Sequence, residues 1–312
     1  FQIVTGKGSE LGTPLIDQTD FIAFTGSTNT GRIVARQAAE RLIGCSLELG
    51  GKNPMIVLAD AHLESAVDGA IRGCFANAGQ LCISIERLYV HQSIYDRFVK
   101  RLVARVSRMS LDASLDFEAD MGSLSSRAQL EKVETQVLDA VARGARVLTG
   151  GRHRPDIGPY FYEPTVLEGV SEDMEICCEE TFGPVVVVSP FESVEEVIDR
   201  ANDSRYGLNA SIWTSDIEVG REVAGRVQTG TVNVNEAYAA TWASVDAPMG
   251  GFKESGLGRR HGAEGILKYT EAQTISVQRG MPIASPPGVG EKDFSELMSG
   301  ALRLLRWIPG LR

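Results

Sequence analysis

The sequence lacks a long hydrophobic run and has no excess of basic residues. No apolar segment among its 312 residues approaches the roughly 20 residues that a transmembrane helix requires. Lys and Arg number 31 against 41 Asp and Glu, which gives a net charge of −10. A general nucleic-acid-binding protein needs a basic face instead. The composition therefore predicts no membrane span and no nucleic-acid partner.

Cysteine and histidine are also scarce, and their spacing argues against two kinds of site. The chain has five cysteines and four histidines, namely Cys45, Cys74, Cys82, Cys177, Cys178, His62, His91, His153 and His261. An odd and sparse set of cysteines does not indicate a disulfide framework, so we expect a reducing, cytoplasmic compartment. No C-x-x-C pair exists and the histidines lie far apart, so the pattern predicts no metal site.

The first residues lack a typical domain start. The chain begins with Phe1 rather than Met, and "FQIVTGKG" reads as a strand that runs into a glycine turn. Because a domain seldom starts inside a strand, we expect the sequence to be a fragment whose N-terminal part is missing.

Short apolar runs alternate along the chain with longer segments of helical periodicity. The runs typical of strands are 20–26, 54–60, 87–92, 184–191, 208–215 and 230–235. The helical segments are 27–42, 62–78, 93–109, 130–145 and 193–203. Residues expected to begin or end these helices are Ser27 or Thr28, Ser93, Ser193 and Gly144. The alternation predicts an α/β fold with mainly parallel sheets.

The last part of the chain has a different character. After about Gly280, "MPIASPPGVGE" resembles a linker, and "FSELMSGALRLLRW" has the spacing of a short amphipathic helix. Leucines beside arginines would also suit a membrane surface or a partner. We expect instead that this helix docks on its own subunit or on an oligomer neighbour.

Two glycine-containing turns offer weak chemical signals. In "FTGSTNTG", Gly26 and Gly31 flank a strand-to-helix turn, where backbone N–H groups could hold a phosphate. The spacing is not G-x-G-x-x-G, so a generic turn is the better interpretation of this motif alone. In "LELGGKNP", a partly desolvated Glu48 would have a pKa suited to a general base. By itself, a salt-bridged or exposed strand-end glutamate is the more common case.

Cys82 lies in "NAGQLCISIERLYV", between a small polar segment and an apolar strand. A cysteine there could attack a carbonyl carbon if a local positive field favoured its thiolate. It could equally be a small buried residue, which is the usual fate of a free cysteine. The motif alone leaves these alternatives about even, whereas the other four cysteines are expected to be packing residues.

Taken together, the motifs resemble the aldehyde dehydrogenase superfamily. The matching segments, in the family's order, are "FTGSTNTGR", "LELGGKNP", "FANAGQLC", "EETFGPVV", "YGLNASIWT", "GTVNVN" and "PMGGFKESGLGR". The 34-residue separation of Glu48 from Cys82 (82 − 48 = 34) also fits the family. The resemblance covers nearly everything from residue 1 to about 280. It implies the aldehyde dehydrogenase fold, with a partial Rossmann-like cofactor domain and an α/β catalytic domain.

The resemblance also implies a division of the chain and an assembly. It assigns 1–51 to the remaining cofactor domain and 52–251 to the catalytic domain. It makes 252–280 a return segment with an oligomerisation strand, "ILKYTEAQTISV" (266–277), and leaves 281–312 as linker and terminal helix. A homodimer or homotetramer is therefore expected.

The site residues follow from the same resemblance. Cys82 would attack the aldehyde and carry the thioester, and Glu48 would activate the water that hydrolyses it. The cofactor, NAD or NADP, would contact Gly26, Ser27, Leu49, Glu180 and Phe182. Glu180 would accept hydrogen bonds from the nicotinamide ribose, and Phe182 would pack against the nicotinamide ring. Ile83 and Ser84 follow Cys82, so no second cysteine is available for a local redox switch.

The form "GQLCISIERLYV" and the C-terminal tail look most like bacterial succinate-semialdehyde dehydrogenases, with a lean to NADP. Ser244 would be a donor to the substrate's far carboxylate, and Ala76 stands where some relatives have a carboxylate-binding arginine. A broader aldehyde range, a CoA-acylating enzyme and an inactive structural member remain alternatives; Glu48 disfavours the second. The family's oxyanion asparagine and ribose-binding lysine lie upstream of residue 1. We therefore expect the isolated fragment to be inactive or poorly folded.

Overall fold

The structure is a computed structural model that describes residues 1–114, 116, 118–279 and 284–307. It contains two compact units, Phe1–Thr270 and Glu271–Arg312. The division of the chain that the family resemblance implies, at residues 51, 251 and 280, stays a prediction.

The elements of the described residues alternate as the α/β prediction requires. The strands are β1 (Phe21–Thr25), β2 (Gly44–Glu48), β3 (Asn53–Val57), β4 (Ile85–His91), β5 (Arg146–Thr149), β6 (Thr165–Glu168), β7 (Val185–Phe191), β8 (Tyr206–Gly207), β9 (Asn209–Trp213), β10 (Thr231–Val234), β11 (Phe252–Lys253) and β12 (Gly256–Leu257). The α-helices are α1 (Gly8–Asp17), α2 (Thr28–Glu40), α3 (Leu63–Phe75), α4 (Tyr95–Val106), α5 (Arg127–Ala142), α6 (Glu175–Cys178), α7 (Val194–Asn202), α8 (Ile217–Arg226), α9 (Ala239–Ala243), α10 (Gly262–Leu267) and α11 (Glu291–Leu305).

The largest sheet among the described residues has the strand order β10-β9-β3-β4-β7-β6-β5. All its neighbouring strands are parallel except β5, which pairs antiparallel with β6 at the edge. The prediction of an α/β fold with a mainly parallel sheet is therefore confirmed.

Alternate residues of the central strands face opposite layers of helices. Met55 and Val57 of β3 lie in a core cluster with buried residues of α3, α4 and α5. Ile56, between them, lies in a second cluster with buried residues of α7 and α8. Because both faces of a parallel sheet are covered in this way, the strands are continuous apolar runs rather than alternating ones.

A second sheet has three strands, and its middle strand, β2, ends at Glu48. β1 pairs parallel with β2, and β12 returns from far along the chain to pair antiparallel with β2. A separate two-stranded sheet is formed by β8 and β11, which pair antiparallel. The carboxyl end of β2 therefore lies beside residues that come from both ends of the first unit.

Most of the predicted helix ends agree with the structure. Ser27, rather than Thr28, begins α2, because its hydroxyl accepts a hydrogen bond from Thr30 N at 3.3 Å. Ser193 caps α7 in the same way. Gly144, with φ +103°, lies two residues after Ala142, the last residue of α5, and permits the left-handed turn that ends the helix.

Three local expectations were wrong. Residues 1–5 form no strand, and helix α1 follows them. The helix is not apparent in the sequence because it contains Pro14 and two glycines, which are weak helix formers. Ser93 does not cap α4, because His91 Nδ1 takes the capping position of an intervening 3₁₀ turn and α4 begins after it.

The third concerns the expected strand at 266–277. Its first residues, Ile266 and Leu267, end α10, and residues 271–277 pair with no strand in the described chain. A ladder needs a neighbouring strand to accept its hydrogen bonds. Pairing of this segment with a second copy stays a prediction.

In the second unit, α11 confirms the predicted amphipathic helix. Part of the expected linker, residues 280–283, lies outside the described residues. Within the described ranges, no helix combines the length and apolar character that crossing a bilayer demands.

Candidate active site

The segment that joins β2 to β3 organises the site. It runs from Glu48 to Asn53, the core of the "LELGGKNP" motif, and most of its residues contact a different distant part of the chain. The segment is buried along its whole length, although its sequence is more polar than the strands on either side. We call it the 48–53 segment.

Glu48 ends β2 with its side chain pointing into the protein. Only 5% of its surface is exposed, and its buried Oε1 atom has no hydrogen-bond partner among the described residues. The Nε atom of Arg260 lies 3.6 Å from that oxygen. Burial raises the pKa of the Glu48 carboxyl, while the charges of Arg260, Lys268 and Arg259 oppose the rise. The result is a desolvated carboxylate with an unoccupied oxygen, the environment that suits a general base.

The two glycines of the 48–53 segment hold Glu180. The N–H of Gly51 donates to Glu180 Oε1 at 3.0 Å. A Cβ at Gly50 would stand 2.7 Å from Glu180 Oε2, so only glycine leaves room for this carboxylate. Burial, with the charge of Glu86, raises the pKa of Glu180 to about 7.

A buried ion pair fixes the loop that carries Glu180 and Phe182. Lys52 Nζ lies 2.5 Å from Glu86 Oε2 and donates to Thr181 Oγ1 at 3.2 Å. The Glu86 carboxylate in turn accepts the backbone N–H groups of Thr181 and Phe182 at 2.9 Å. We call this arrangement the Lys52–Glu86 clamp. It holds Phe182 at φ +54°, a left-handed conformation that a bulky residue seldom adopts without support.

Asn53 fixes the loop that carries Cys82. Its Nδ2 atom donates to the carbonyl oxygens of Cys82 and Ser84 at 2.9 and 2.7 Å, and its Oδ1 accepts Asn209 N at 3.0 Å. A Cβ at Gly51 would lie 2.7 Å from the Cys82 carbonyl oxygen, so the segment and the loop touch at backbone distance.

The approach to Cys82 is a run of left-handed residues. Asn77, Ala78 and Gly79 have φ values of +53°, +54° and +69°. A Cβ at Gly79 would meet the carbonyl oxygen of Gly183 at 2.0 Å, which no side chain could relieve. The cysteine loop and the Phe182 loop are therefore pressed together at this glycine.

The Cys82 side chain is partly buried in a small apolar cluster with Ile83, Leu208 and Met249. Burial raises the pKa of its thiol, and the charges of Glu48 and Glu180 raise it further. The N–H of Cys82 itself and Arg260 act in the opposite direction. Within this chain, burial and the two carboxylates outweigh the positive charge that would favour the thiolate.

The other predicted site residues take varied positions. Ser27 lies at the N-terminus of α2, and Gly26 N donates to the Glu48 carbonyl oxygen at 3.1 Å. The side chain of Leu49 packs in an apolar cluster, so only its backbone faces outward from that core. The hydroxyl of Ser244 donates a hydrogen bond to Ala240 O at 2.8 Å. Its proton is therefore already engaged with the backbone of the helix that it follows.

The structure brings Glu48, Cys82 and Glu180 within electrostatic reach of one another. Sequence reasoning missed the residues that hold them there: Lys52, Asn53, Glu86 and Arg260. The first two stand inside a motif that was singled out only for Glu48. The predicted strand 87–92 begins just after Glu86, and an acid and a base side by side at an apolar run indicate buried partners.

The residues present fit a nicotinamide dinucleotide. The α2 N-terminus after Gly26 offers backbone N–H groups to an anion. Glu180 has a single backbone donor on Oε1, which leaves acceptor capacity for sugar hydroxyls.

Comparison with known proteins identifies the family. The model of the aldehyde dehydrogenase family matches residues 1–275. A Mycolicibacterium smegmatis protein named "Putative succinate-semialdehyde dehydrogenase", with NADP(+) in its name, is 52% identical over 310 residues, or 99% of this chain and 60% of that protein. The betaine aldehyde dehydrogenase of Brucella anthropi is 40% identical over 90% of this chain and 58% of its own length.

A solved structure is similar as well. The NAD+ complex of an aldehyde dehydrogenase from Bacillus cereus matches with a TM-score of 0.80 and 43% identity, over 85% of this chain and 54% of that one. This chain therefore spans about 60% of the curated relatives' length. The resemblance inferred from the motifs is confirmed. On the family match over residues 1–275 and the identity to relatives along nearly its whole length, the chain belongs to the aldehyde dehydrogenase family.

Proposed function

We propose that this chain provides the catalytic machinery of an NAD(P)-dependent aldehyde dehydrogenase that oxidises succinic semialdehyde to succinate. The observation that carries the proposal is the 48–53 segment, which joins a buried carboxylate with a free oxygen to the loop of Cys82. That pair supplies a base and a nucleophile, which the two halves of the reaction require.

In the first half, the Cys82 thiol loses its proton to solvent and Sγ bonds to the aldehyde carbon as the carbon–oxygen π bond opens, which gives the thiohemiacetal as its oxyanion. The backbone N–H of Cys82 would donate a hydrogen bond to the oxygen that becomes negative. When NAD(P)+ is bound, it supplies the oxidation by accepting a hydride, which leaves a thioester on Cys82. Glu180 and Phe182, held by the Lys52–Glu86 clamp, orient the group that receives the hydride.

In the second half, Glu48 activates water. Its carboxylate takes one proton from the water, the water oxygen bonds to the acyl carbon, and the carbon–sulfur bond breaks. Cys82 leaves as a thiolate and the acid is released. The unbonded, buried Oε1 of Glu48 supports this role, because a base needs a lone pair that no other donor occupies.

Relatives support succinic semialdehyde as the substrate and NADP as the cofactor. Proteins about half identical to this chain carry both in their names. Betaine aldehyde, a cation rather than an anion, is the second candidate, because a relative at 40% identity is named for it. Comparing kcat/KM for the two aldehydes separates these candidates. A homodimer or homotetramer stays a prediction.

Replacing Glu48 with glutamine should stop the reaction after the thioester. We expect one equivalent of reduced cofactor per site in a burst, followed by turnover lowered about 10²- to 10⁴-fold, the usual contribution of a positioned base. Rapid-mixing absorbance measurements on the full-length protein would record both phases. Glu218→Gln, an exposed carboxylate paired with Arg221 in α8, should behave as wild type. Loss of the burst together with the turnover would contradict a role confined to hydrolysis.

Cofactor affinity should depend on pH through Glu180. Because its pKa is raised to about 7, lowering the pH below that value protonates the carboxylate and removes an acceptor for ribose hydroxyls. Affinity should therefore rise with pH through neutrality, and Glu180→Gln should flatten the curve.

Calorimetric titration with NAD is the appropriate measurement for this prediction. NAD lacks the 2′-phosphate of NADP, a monoester that itself titrates near a pH of about 6. Glu179→Gln removes the neighbouring carboxylate, which pairs with Arg205 near the surface, and should keep the wild-type pH dependence. An unchanged slope in Glu180→Gln would rule out this carboxylate as the titrating group.

A further inference from the structure

Arg260 connects the base to the turn expected to bind the cofactor. Its Nε atom lies 3.6 Å from Glu48 Oε1, and its Nη2 donates to Thr25 Oγ1 at the end of β1. Its backbone exchanges two hydrogen bonds with Met249, at 2.6 and 2.7 Å. Met249 packs in the apolar cluster of Cys82, so these hydrogen bonds hold the backbone of Arg260 close to the nucleophile.

Arg260 attracts the Glu48 carboxylate electrostatically but forms no hydrogen bond with its Oε1 atom. A separation of 3.6 Å is too long for a hydrogen bond, and no other residue in the described part of the chain forms a hydrogen bond with the buried Glu48 Oε1. A hydrogen-bonded arginine would compete with water for the lone pair. An arginine at this distance stabilises the negative charge and leaves the oxygen available.

We propose that Arg260 is a positioning residue that holds the Glu48 carboxylate as the water-activating anion during thioester hydrolysis. The inference rests on the proposed function, since it assigns the electrostatic partner of that function's base. In the step concerned, Glu48 takes a proton from water, the water oxygen bonds to the acyl carbon, and Cys82 leaves as a thiolate. Arg260 exchanges no proton.

The direction of the effect follows from the charges around Glu48. Burial raises the pKa of Glu48, and the cations that oppose this rise are Arg260 first, then Lys268 and Arg259. The Cys82 thiol also faces the carboxylate. Without Arg260 the pKa of Glu48 rises further, so at any given pH a larger fraction of the carboxyl is protonated and cannot act as a base. Raising the pH restores the anion.

The test uses p-nitrophenyl acetate, which acylates a reactive cysteine directly and needs no cofactor. In the full-length protein, the nitrophenolate burst counts competent Cys82 sites, and the steady rate reports deacylation. In Arg260→Gln we expect the rise of deacylation with pH to move upward by about one unit, so that on the acid side of that rise the rate per burst site falls about tenfold, the effect of removing one nearby opposite charge. The rate should approach the wild-type value at alkaline pH, and intact-mass spectra should show acetyl-enzyme accumulating on the acid side of the rise.

Two variants complete the test. Arg260→Lys keeps the charge and should restore most of the rate on the acid side of the rise. Arg221→Gln removes one positive charge from the distant helix α8, where it pairs with Glu218, and should leave the profile unchanged. Because rates are normalised to burst sites, partial misfolding of a variant does not mimic the effect.

The opposing outcomes are distinct. A wild-type burst with an identical pH profile in Arg260→Gln would overturn the role of Arg260 alone. An effect confined to KM for succinic semialdehyde would overturn it too, and would make Arg260 a substrate-binding residue. Absence of acyl-enzyme in the wild-type protein would overturn the proposed function, and this inference with it.

Discussion

Replacing Cys82 with alanine should abolish reduction of NADP by the full-length protein with succinic semialdehyde. We expect a loss on the order of 10⁴-fold or more, because no other step can proceed once the nucleophile is removed. Absorbance of the reduced cofactor measures the rate directly. The variant should remain folded, since the Cys82 carbonyl that Asn53 holds belongs to the backbone and survives the substitution.

Cys45→Ala is the matched control. Cys45 lies in β2, three residues before Glu48, and its side chain packs beside the apolar cluster of the small sheet. It should keep wild-type turnover within a few-fold. Substantial activity in Cys82→Ala would contradict its role as nucleophile. Failure of folded, cofactor-binding wild-type protein to oxidise this aldehyde would remove the substrate and move the search to other aldehydes and NAD.

The surroundings of Cys82 refine how this nucleophile must work. Burial raises the pKa of the thiol, and the negative charges of Glu48 and Glu180 raise it further. A permanently ionised thiolate is therefore not the resting state that these residues favour. Ionisation has to accompany binding of positive charge or protonation of a neighbouring carboxylate, which couples the nucleophile to the rest of the site.

Replacing Glu86 with alanine should destabilise the protein by about 3–5 kcal/mol, the cost of leaving one member of a buried ion pair without its partner. Lys52 is 2% exposed and would keep an uncompensated charge. The N–H groups of Thr181 and Phe182 would lose their acceptor. Denaturant unfolding of the full-length protein is the measurement, and a domain with total stability of about 5–15 kcal/mol would lose a large part of it.

Glu218→Ala serves as the control for this prediction. Its carboxylate pairs with Arg221 on the exposed surface of α8, where such pairs contribute about 0–1 kcal/mol. Glu86→Gln, which keeps an acceptor oxygen, should fall between the two variants. Equal stabilities of Glu86→Ala and Glu218→Ala would show that the Lys52–Glu86 clamp does not bear on folding.

Much of the fold could be predicted from the sequence, because continuous apolar runs and capped helical segments leave few alternatives. The runs around β3, β7 and β9 are each five to seven residues long and buried on both faces. Alternation of strands and helices then dictates a parallel sheet. The helix α1 was missed because Pro14 and its glycines weaken the local pattern.

The site was predictable only in part. Glu48 and Cys82 could be selected because their residue types match a known order of motifs. The Lys52–Glu86 clamp and the contact of Arg260 with Glu48 could not, because each joins residues that no local periodicity relates. Lys, Glu and Arg look like surface residues in a sequence, and only the tertiary structure shows that these partners are buried or face a buried charge.

The 48–53 segment also has a consequence for the order in which the chain folds. Its contacts to Glu180, Glu86 and Cys82 span 129, 34 and 29 residues. Contacts between residues so distant in sequence form late, because each must first overcome the entropy of closing a long loop. The central sheet depends on equally long separations, since β3 pairs with β9, so the site is expected to form together with that sheet and not before it. Catalytic activity would then indicate a complete tertiary structure. A partly folded chain would contain Cys82 but not the neighbouring residues that its reaction requires.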